Sequence, residues 1–212
     1  MTPFSLNING RLENFNHPVV MGILNLTPDS FSDGGRFDTF DKARLHVANM
    51  INEGAGIIDI GAYSSRPGAK DIEPKEERSR LIPALRVIRK EHPSAILSID
   101  TFRSEVADAA LNEGADMIND ISGGNLDGEM IATLAKWQCP YVAMHMSGTP
   151  QSMQDDIVEG HVTHQLLRYF HDIMLRLNAS GLSDVIIDPG FGFGKSLRQN
   201  YGLAKDLRAI KS

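Results

Sequence analysis

Six short apolar runs alternate along the chain with longer stretches that are apolar on one face only. The runs span 19–24, 56–60, 95–99, 117–121, 141–144 and 185–187. Each is rich in Ile and Val and lacks regular alternation with polar residues, which suits a parallel strand buried on both faces. The intervening stretches have helical spacing. Residues 41–53 place Ala43, Val47, Met50 and Ile51 on one face, and 76–91 do the same with Leu81, Leu85 and Ile88. A helix over 104–113 takes Ser104 as its N-cap and Gly114 as the residue past its end. A short helix follows over 129–137, then the longest over 157–179, closed by Gly181, and a last one begins near Gln199.

One unit is used twice. Glu53-Gly54-Ala55 leads into a run carrying Asp59, and Glu113-Gly114-Ala115 leads into a run carrying Asn119. Repeated βα units predict a parallel α/β fold. An open doubly wound sheet gathers ligands at one switch point, whereas a barrel gathers them from every strand end onto one rim. Nearly every run ends in a polar residue: Asn25, Asp59, Asp100, Asn119, His145, Asp188. The expectation is a (β/α)8 TIM barrel, one domain over 1–212, with six βα units present.

Composition narrows the function. Hydrophobic residues at 42% and charged residues at 23% exclude a disordered or fibrous chain. A net charge of −6 with no basic run argues against nucleic acid as a partner. No apolar run approaches the roughly 20 residues of a membrane span. Cys139 is the single cysteine and cannot form an internal disulfide. With no apolar leader core at the N-terminus, the expected location is cytoplasmic.

The chemistry gathers after the strands. The first βα loop, Asn25 to Gly35, packs hydroxyls, two Asp and a Gly pair behind a buried run. Its composition is that of a turn, but long loops at strand C-termini are often functional. In the second loop Arg66 sits beside Ser64 and Ser65, equipment for an anion; the alternative is an ion pair with Asp71 or Glu73. Asp59, Asp100, Asn119 and Asp188 together suit a flat heterocycle rich in N–H donors. No close His/Cys/carboxylate spacing marks a transition-metal site. The run Asp188 to Ser196 fails as a phosphate loop, because Pro189 stands where that motif needs Gly. It also fails the dinucleotide fingerprint, because Lys195 takes a Gly position. His161 and His164 read as a solvated helix face. His145 leans toward the rim over a core position, and Cys139 reads as structural.

Together these segments resemble the dihydropteroate synthase family. The motifs are MGILNLTPDSFSDGG (21–35), SSRPGA (64–69), SIDT (98–101), INDISGG (118–124) and DPGFGFGK (188–195), with MHMSGTP (144–150) in support. The resemblance implies a (β/α)8 barrel that condenses 6-hydroxymethyl-7,8-dihydropterin diphosphate with 4-aminobenzoate. It implies Mg²⁺ on the diphosphate with Asn25 as its protein contact. Ser65 and Arg66 would hold the diphosphate and frame the aminobenzoate pocket. Asp100, Asn119 and Asp188 would bind the pterin, with Asp59 close behind. Met144 and Phe193 would flank the ring or the pocket mouth. Asp100 would steady positive charge on the pterin and Arg66 the leaving diphosphate. A homodimer is also implied.

The chain departs from the family pattern in places. Gly61-Ala62-Tyr63-Ser64-Ser65 stands where many members read GGEST, and Phe102-Arg103 follows the third motif where Ser/Thr-Lys/Pro is frequent. The family's seventh-strand Ser-Arg-Lys and eighth-strand Arg-x-His have no counterpart. Two further βα units are therefore expected in the natural protein, and a catalytically dead fragment is one alternative reading. A pterin-binding methyltransferase domain is the other; it would not need the first two loops to bind a diphosphate.

Overall fold

The computed structural model describes residues 3–27, 36–66, 69–153 and 160–211. The first element is absent from the sequence expectation. Strands β1 (Phe4–Ile8) and β2 (Arg11–Phe15) form an antiparallel hairpin. Its turn is Asn9-Gly10, with φ of 51° and 81°. Two successive positive φ angles make the tight turn that matches strand twist, and Asn-Gly is the pair that tolerates it.

Six βα units follow. They are β3 (Met21–Asn25) and α1 (Arg36–Asn52), β4 (Ile57–Gly61) and α2 (Pro74–Glu91), β5 (Ile96–Asp100) and α3 (Ser104–Asn112), β6 (Met117–Asp120) and α4 (Met130–Trp137), β7 (Tyr141–Met144) and α5 (Val162–Ala179), and β8 (Val185–Asp188) and α6 (Leu197–Lys211). The strands pair in parallel in the order β3-β4-β5-β6-β7-β8. Consecutive order without a crossover is the barrel pattern; a doubly wound sheet reverses direction at a switch point.

Side chains along each strand alternate between two faces. The outward set, including Leu24, Ile58, Ile60, Leu97, Ile99, Ile118 and Ala143, packs on the helices in one large core. The helices supply their apolar stripes: Ala43 and Val47 from α1, Leu81, Leu85 and Ile88 from α2, and Leu166, Phe170, Ile173 and Leu177 from α5. The inward set forms a separate cluster of Ile57, Met117 and Val142 with Met21, Ile96 and Ile186. All six strands contribute to it, so the sheet curls around it. The hairpin closes the N-terminal end of this curl: Leu6, Ile8 and Phe15 pack on Ile96 and Ile186. Polar ties fix it there, Asn7 N–H to Asp184 at 3.2 Å and Asn9 Nδ2 to Asp116 at 2.6 Å.

Among the described residues, β3 and β8 each pair along one edge only. Ile23, which faces inward, is accordingly 62% exposed, whereas β4 is buried throughout. Two local expectations shift. Arg103, not Ser104, is the N-cap of α3, and the Ser104 N–H is taken by Asp127 at 2.7 Å. The last helix starts at Leu197, with Gln199 inside it. Gly114 and Gly181 do end their helices, with φ of 93° and 78°. Residues 157–159, expected at the start of the longest helix, lie outside the described residues.

The hairpin floor is testable. Leu6→Ala should cost about 2–5 kcal/mol, the range for emptying a buried Leu position, read by urea denaturation. A loss below about 0.5 kcal/mol would mean that the hairpin does not share the barrel core.

Candidate active site

Alternation also sets what lines the other end of the curl. The inward column of β4 is Ile57, Asp59, Gly61; that of β5 is Ile96, Ser98, Asp100; that of β6 is Met117, Asn119. Counting by two from the apolar bottom layer puts Met144 on β7, Asp188 on β8 and Asn25 on β3 in the same wall. Apolar side chains fill the N-terminal half and polar ones the C-terminal half. Asp59 was expected at a strand end; it stands in the middle of β4 and is buried, one layer below the rim. Asp100 and Asp188 do end their strands and keep partial solvent access. Asn25 is exposed at the end of β3.

The floor is built from contacts. Asn119 Nδ2 donates to Asp59 Oδ2 at 3.0 Å. That leaves the Asn119 carbonyl oxygen on the other side of the amide. Among the described residues, Asp59 Oδ1 and the Ser98 hydroxyl are buried without a well-formed hydrogen bond. Asp59 and Ser98 are register neighbours, as are Gly61 and Asp100. A Cβ at Gly61 would sit 3.2 Å from Asp100 Oδ2, so a side chain there would press on the carboxylate.

Burial raises the pKa of Asp59, with Ser98 and Asn119 pulling the other way. Asp100 is pushed well above the ordinary carboxylate range, first by burial and then by the charges of Asp59, Glu77 and Asp120. Asp100 sits deep among protein atoms, although its column opens to the rim. Among the described residues, the inward faces of the strands carry no Lys or Arg to relieve it.

The remaining candidates surround this pit. Met144 is buried next to Asp188, its register neighbour. Phe193 is partly exposed in the loop after β8, and Phe191 beside it is 43% exposed. Ser65 is partly buried and Arg66 exposed in the loop after β4. Among the described residues Arg66 makes no ion pair with Asp71 or Glu73, the alternative that the sequence left open, and Asp71 pairs with Arg103 at 3.1 Å. Nothing brings Ser65 or Arg66 into contact with the carboxylate floor. Pro28 to Gly35 of the first loop, with Pro67 and Gly68 of the second, lie outside the described residues.

His145 falls on the core side, against the sequence leaning. Its ring meets Tyr169 of α5 edge to face at 4.8 Å, and its Nδ1 is buried without a partner among the described residues. Cys139 is buried and its thiol is pushed up to about 12, as a structural cysteine requires.

Two charged residues that hold the rim in shape escaped the sequence reading. Asp120 is fully buried behind Asn119. It accepts from Ser122 N–H and Oγ at 2.7 Å, Gly124 N–H at 2.8 Å and Tyr141 OH at 2.8 Å. An Asp two residues before a Ser in a Gly-rich stretch is a turn signature that could have flagged it. Lys195 is buried and donates to the carbonyls of Gly190 at 2.8 Å, Phe193 at 3.0 Å and His145 at 3.1 Å. Burial lowers its pKa to about 8, with Asp188 opposing. Thus the Gly-Lys pair folds the loop around its own ammonium. Gly190 allows that fold: φ is 66° and a Cβ would lie 2.1 Å from the His145 carbonyl oxygen.

A family model described as "Pterin binding enzyme" matches residues 21–212. The mitochondrial folate synthesis bifunctional protein of Arabidopsis thaliana is 45% identical over 97% of this chain and 38% of its own length. The dihydropteroate synthase of Synechocystis is 43% identical over 91% of this chain and 67% of its own. The chain therefore spans well under two thirds of the plant relative. Among solved structures, Xanthomonas albilineans dihydropteroate synthase with 4-aminobenzoic acid superposes with a TM-score of 0.89 at 36% identity, covering 99% of this chain and 74% of that one.

His145 gives a pH test. Burial, with repulsion from Lys195, lowers its pKa from 6.5 to about 4. Between those values the unfolded chain holds a proton that the folded one does not, so this residue makes stability fall as pH drops from about 6.5 toward 4. The raised carboxylates act in the opposite sense, so the comparison must be internal. Denaturant titrations should show His145→Phe losing less stability than the parent between pH 7 and pH 5. Parallel losses would contradict a buried neutral imidazole.

Proposed function

The chain belongs to the pterin binding enzyme family, and from that premise we propose that it acts as a dihydropteroate synthase, joining 6-hydroxymethyl-7,8-dihydropterin diphosphate to 4-aminobenzoate with release of diphosphate. The observation that carries this reading is the inward column of Asp59, Asp100, Asn119 and Asp188, rich in acceptors, in which no described cation pairs with Asp59 or Asp100. A flat heterocycle whose edge is rich in N–H donors satisfies it; an anion does not.

In this reading Asp188, Asn119 and Asp100 hold the pterin edge. Asp59 is a positioning residue: its bond to Asn119 Nδ2 fixes which end of the amide meets the ligand. Met144 and Phe193 flank the ring. When the C–O bond to diphosphate breaks, positive charge spreads from the methylene into the pterin, and the Asp100 carboxylate stabilises it. Arg66 and Ser65 take the negative charge developing on the diphosphate. The aromatic amine is neutral at pH 7. It attacks the methylene to form the C–N bond and gives up its proton afterwards, so no strong base is required.

Mg²⁺ belongs to the reading through Asn25, whose exposed amide oxygen is a hard donor at the rim. The described residues contain no group of three or more His, Cys, Asp and Glu able to hold a metal. The fit is therefore to an ion ligated mainly by water and phosphate oxygens, which neutralises the leaving group when bound. A homodimer, which rests on the family resemblance, and a cytoplasmic location, the expectation from the N-terminal sequence, complete the proposal. No helix among the described residues is long and apolar enough to cross a membrane.

Two variants separate the subsites. Asp188→Ala should weaken 6-hydroxymethyl-dihydropterin by about 1–3 kcal/mol in calorimetry, the cost of an unpaired buried group. Unchanged affinity would exclude Asp188 from the pocket. Arg66→Ala should weaken inorganic diphosphate with Mg²⁺ and leave the pterin alone; equal losses would contradict an anion role. Formation of dihydropteroate from the two substrates tests the activity directly.

A further inference from the structure

The second βα loop and the segment after β5 depart from the family pattern at Tyr63, Phe102 and Arg103, and these three residues touch one another. The Tyr63 and Phe102 rings meet edge to face at 5.0 Å. The Arg103 guanidinium lies 5.1 Å from the centroid of each. Arg103 is itself held by Glu77 at 2.7 Å and Asp71 at 3.1 Å. Glu77, 1% exposed on α2, also accepts from Thr101 Oγ1 at 2.7 Å. The base under Tyr63 is thus a buried ion pair that spans α2 and the start of α3. Removing one member would leave the other charge buried, which keeps the base rigid.

On this base the phenol is held by its ring and by its hydroxyl against Asp71, and the same hydroxyl is also tied elsewhere. Tyr63 OH accepts from Gln151 Nε2 at 2.5 Å. Gln151 belongs to the loop after β7, 88 positions away in the chain. One side chain therefore joins the loop that carries Ser65 and Arg66 to the loop that follows Met144. Tyr63 is 6% exposed, so little water competes for this bond.

We propose that Tyr63 is a positioning residue for the diphosphate side of the site, its bond to Gln151 tying the second and fifth βα loops together so that Ser65 and Arg66 stay over the rim. The inference rests on the anion role proposed for those two residues. The contacts of Tyr63 run to Phe102, Arg103, Asp71 and Gln151, none of them in the carboxylate floor, so its effect is expected on the anion.

Calorimetry of inorganic diphosphate with Mg²⁺, and of 6-hydroxymethyl-dihydropterin, tests this on the parent, Tyr63→Phe, Gln151→Ala and the double variant. Each single change should weaken diphosphate about 3- to 10-fold, the scale of one lost hydrogen bond. The double variant should be no weaker than the worse single one, because both remove the same bond. Pterin affinity should stay at the parent value in all three. Unchanged diphosphate affinity, additive losses, or an equal loss for pterin would overturn the inference. Gln151 is exposed, so Gln151→Ala decides alone if Tyr63→Phe does not fold. A parent protein that binds pterin but not diphosphate would instead overturn the anion role, and this inference with it.

Discussion

The described part of the molecule depends on burying Asp59 and Asp100 inside a curled parallel sheet in which no described cation pairs with them. Parallel register brings Asp59, Ser98, Gly61 and Asp100 into neighbouring columns, and alternation points the carboxylates inward. Unpaired carboxylates are costly in such a place. The cost is moderated by Asn119, which gives its amide to Asp59, and by the partial solvent access that Asp100 keeps at the end of β5. Both are partial remedies, and both leave acceptors facing the rim. The apolar bottom layer and the hairpin beneath it supply the offsetting burial.

Charges outside the barrel wall are treated differently. Asp120 receives four hydrogen bonds, Lys195 is ringed by three carbonyls, and Glu77 is paired with Arg103 and Thr101. Each holds one loop or helix start at the C-terminal end. Satisfied buried charges specify geometry well, since the loss of one partner strands the other. The rim is shaped by saturated charges behind the wall, and the unsaturated ones inside it are left for a ligand.

Much of this was legible in the chain. Runs of Ile and Val located all six parallel strands to within two residues, because strands buried on both faces leave little choice of side chain. The helical faces through Val47, Leu85 and Ile88 followed from spacing alone. The hairpin was missed although Asn9-Gly10 announces it, because its strands are mostly exposed and carry little apolar pattern. Candidate positions were legible where alternation fixed them: Asp100, Asn119 and Asp188 fall on the inward face. Asp59 was placed too high because the strand extends two residues beyond it. His145 misled because the residue after β7 turns outward, to Tyr169, where the preceding Met144 turned in. Lys195 was not legible at all. Its partners are carbonyls of a loop whose path no side-chain pattern encodes.

The division between saturated and unsaturated charge also shows in how the described cations are used. Lys195, which feels the charge of Asp188, spends its donors on three carbonyls. Arg103 spends its own on Glu77 and Asp71. Arg66 stays exposed in the second loop, with no contact to the floor. No described cation is therefore placed to neutralise Asp100 and Asp59 from the protein side. A ligand that presents N–H donors, and that gains positive charge as it reacts, is favoured more strongly in its charged state than in its resting one. In the proposed reaction, binding and acceleration would then draw on the same acceptors, since only interactions that strengthen toward the transition state speed a reaction.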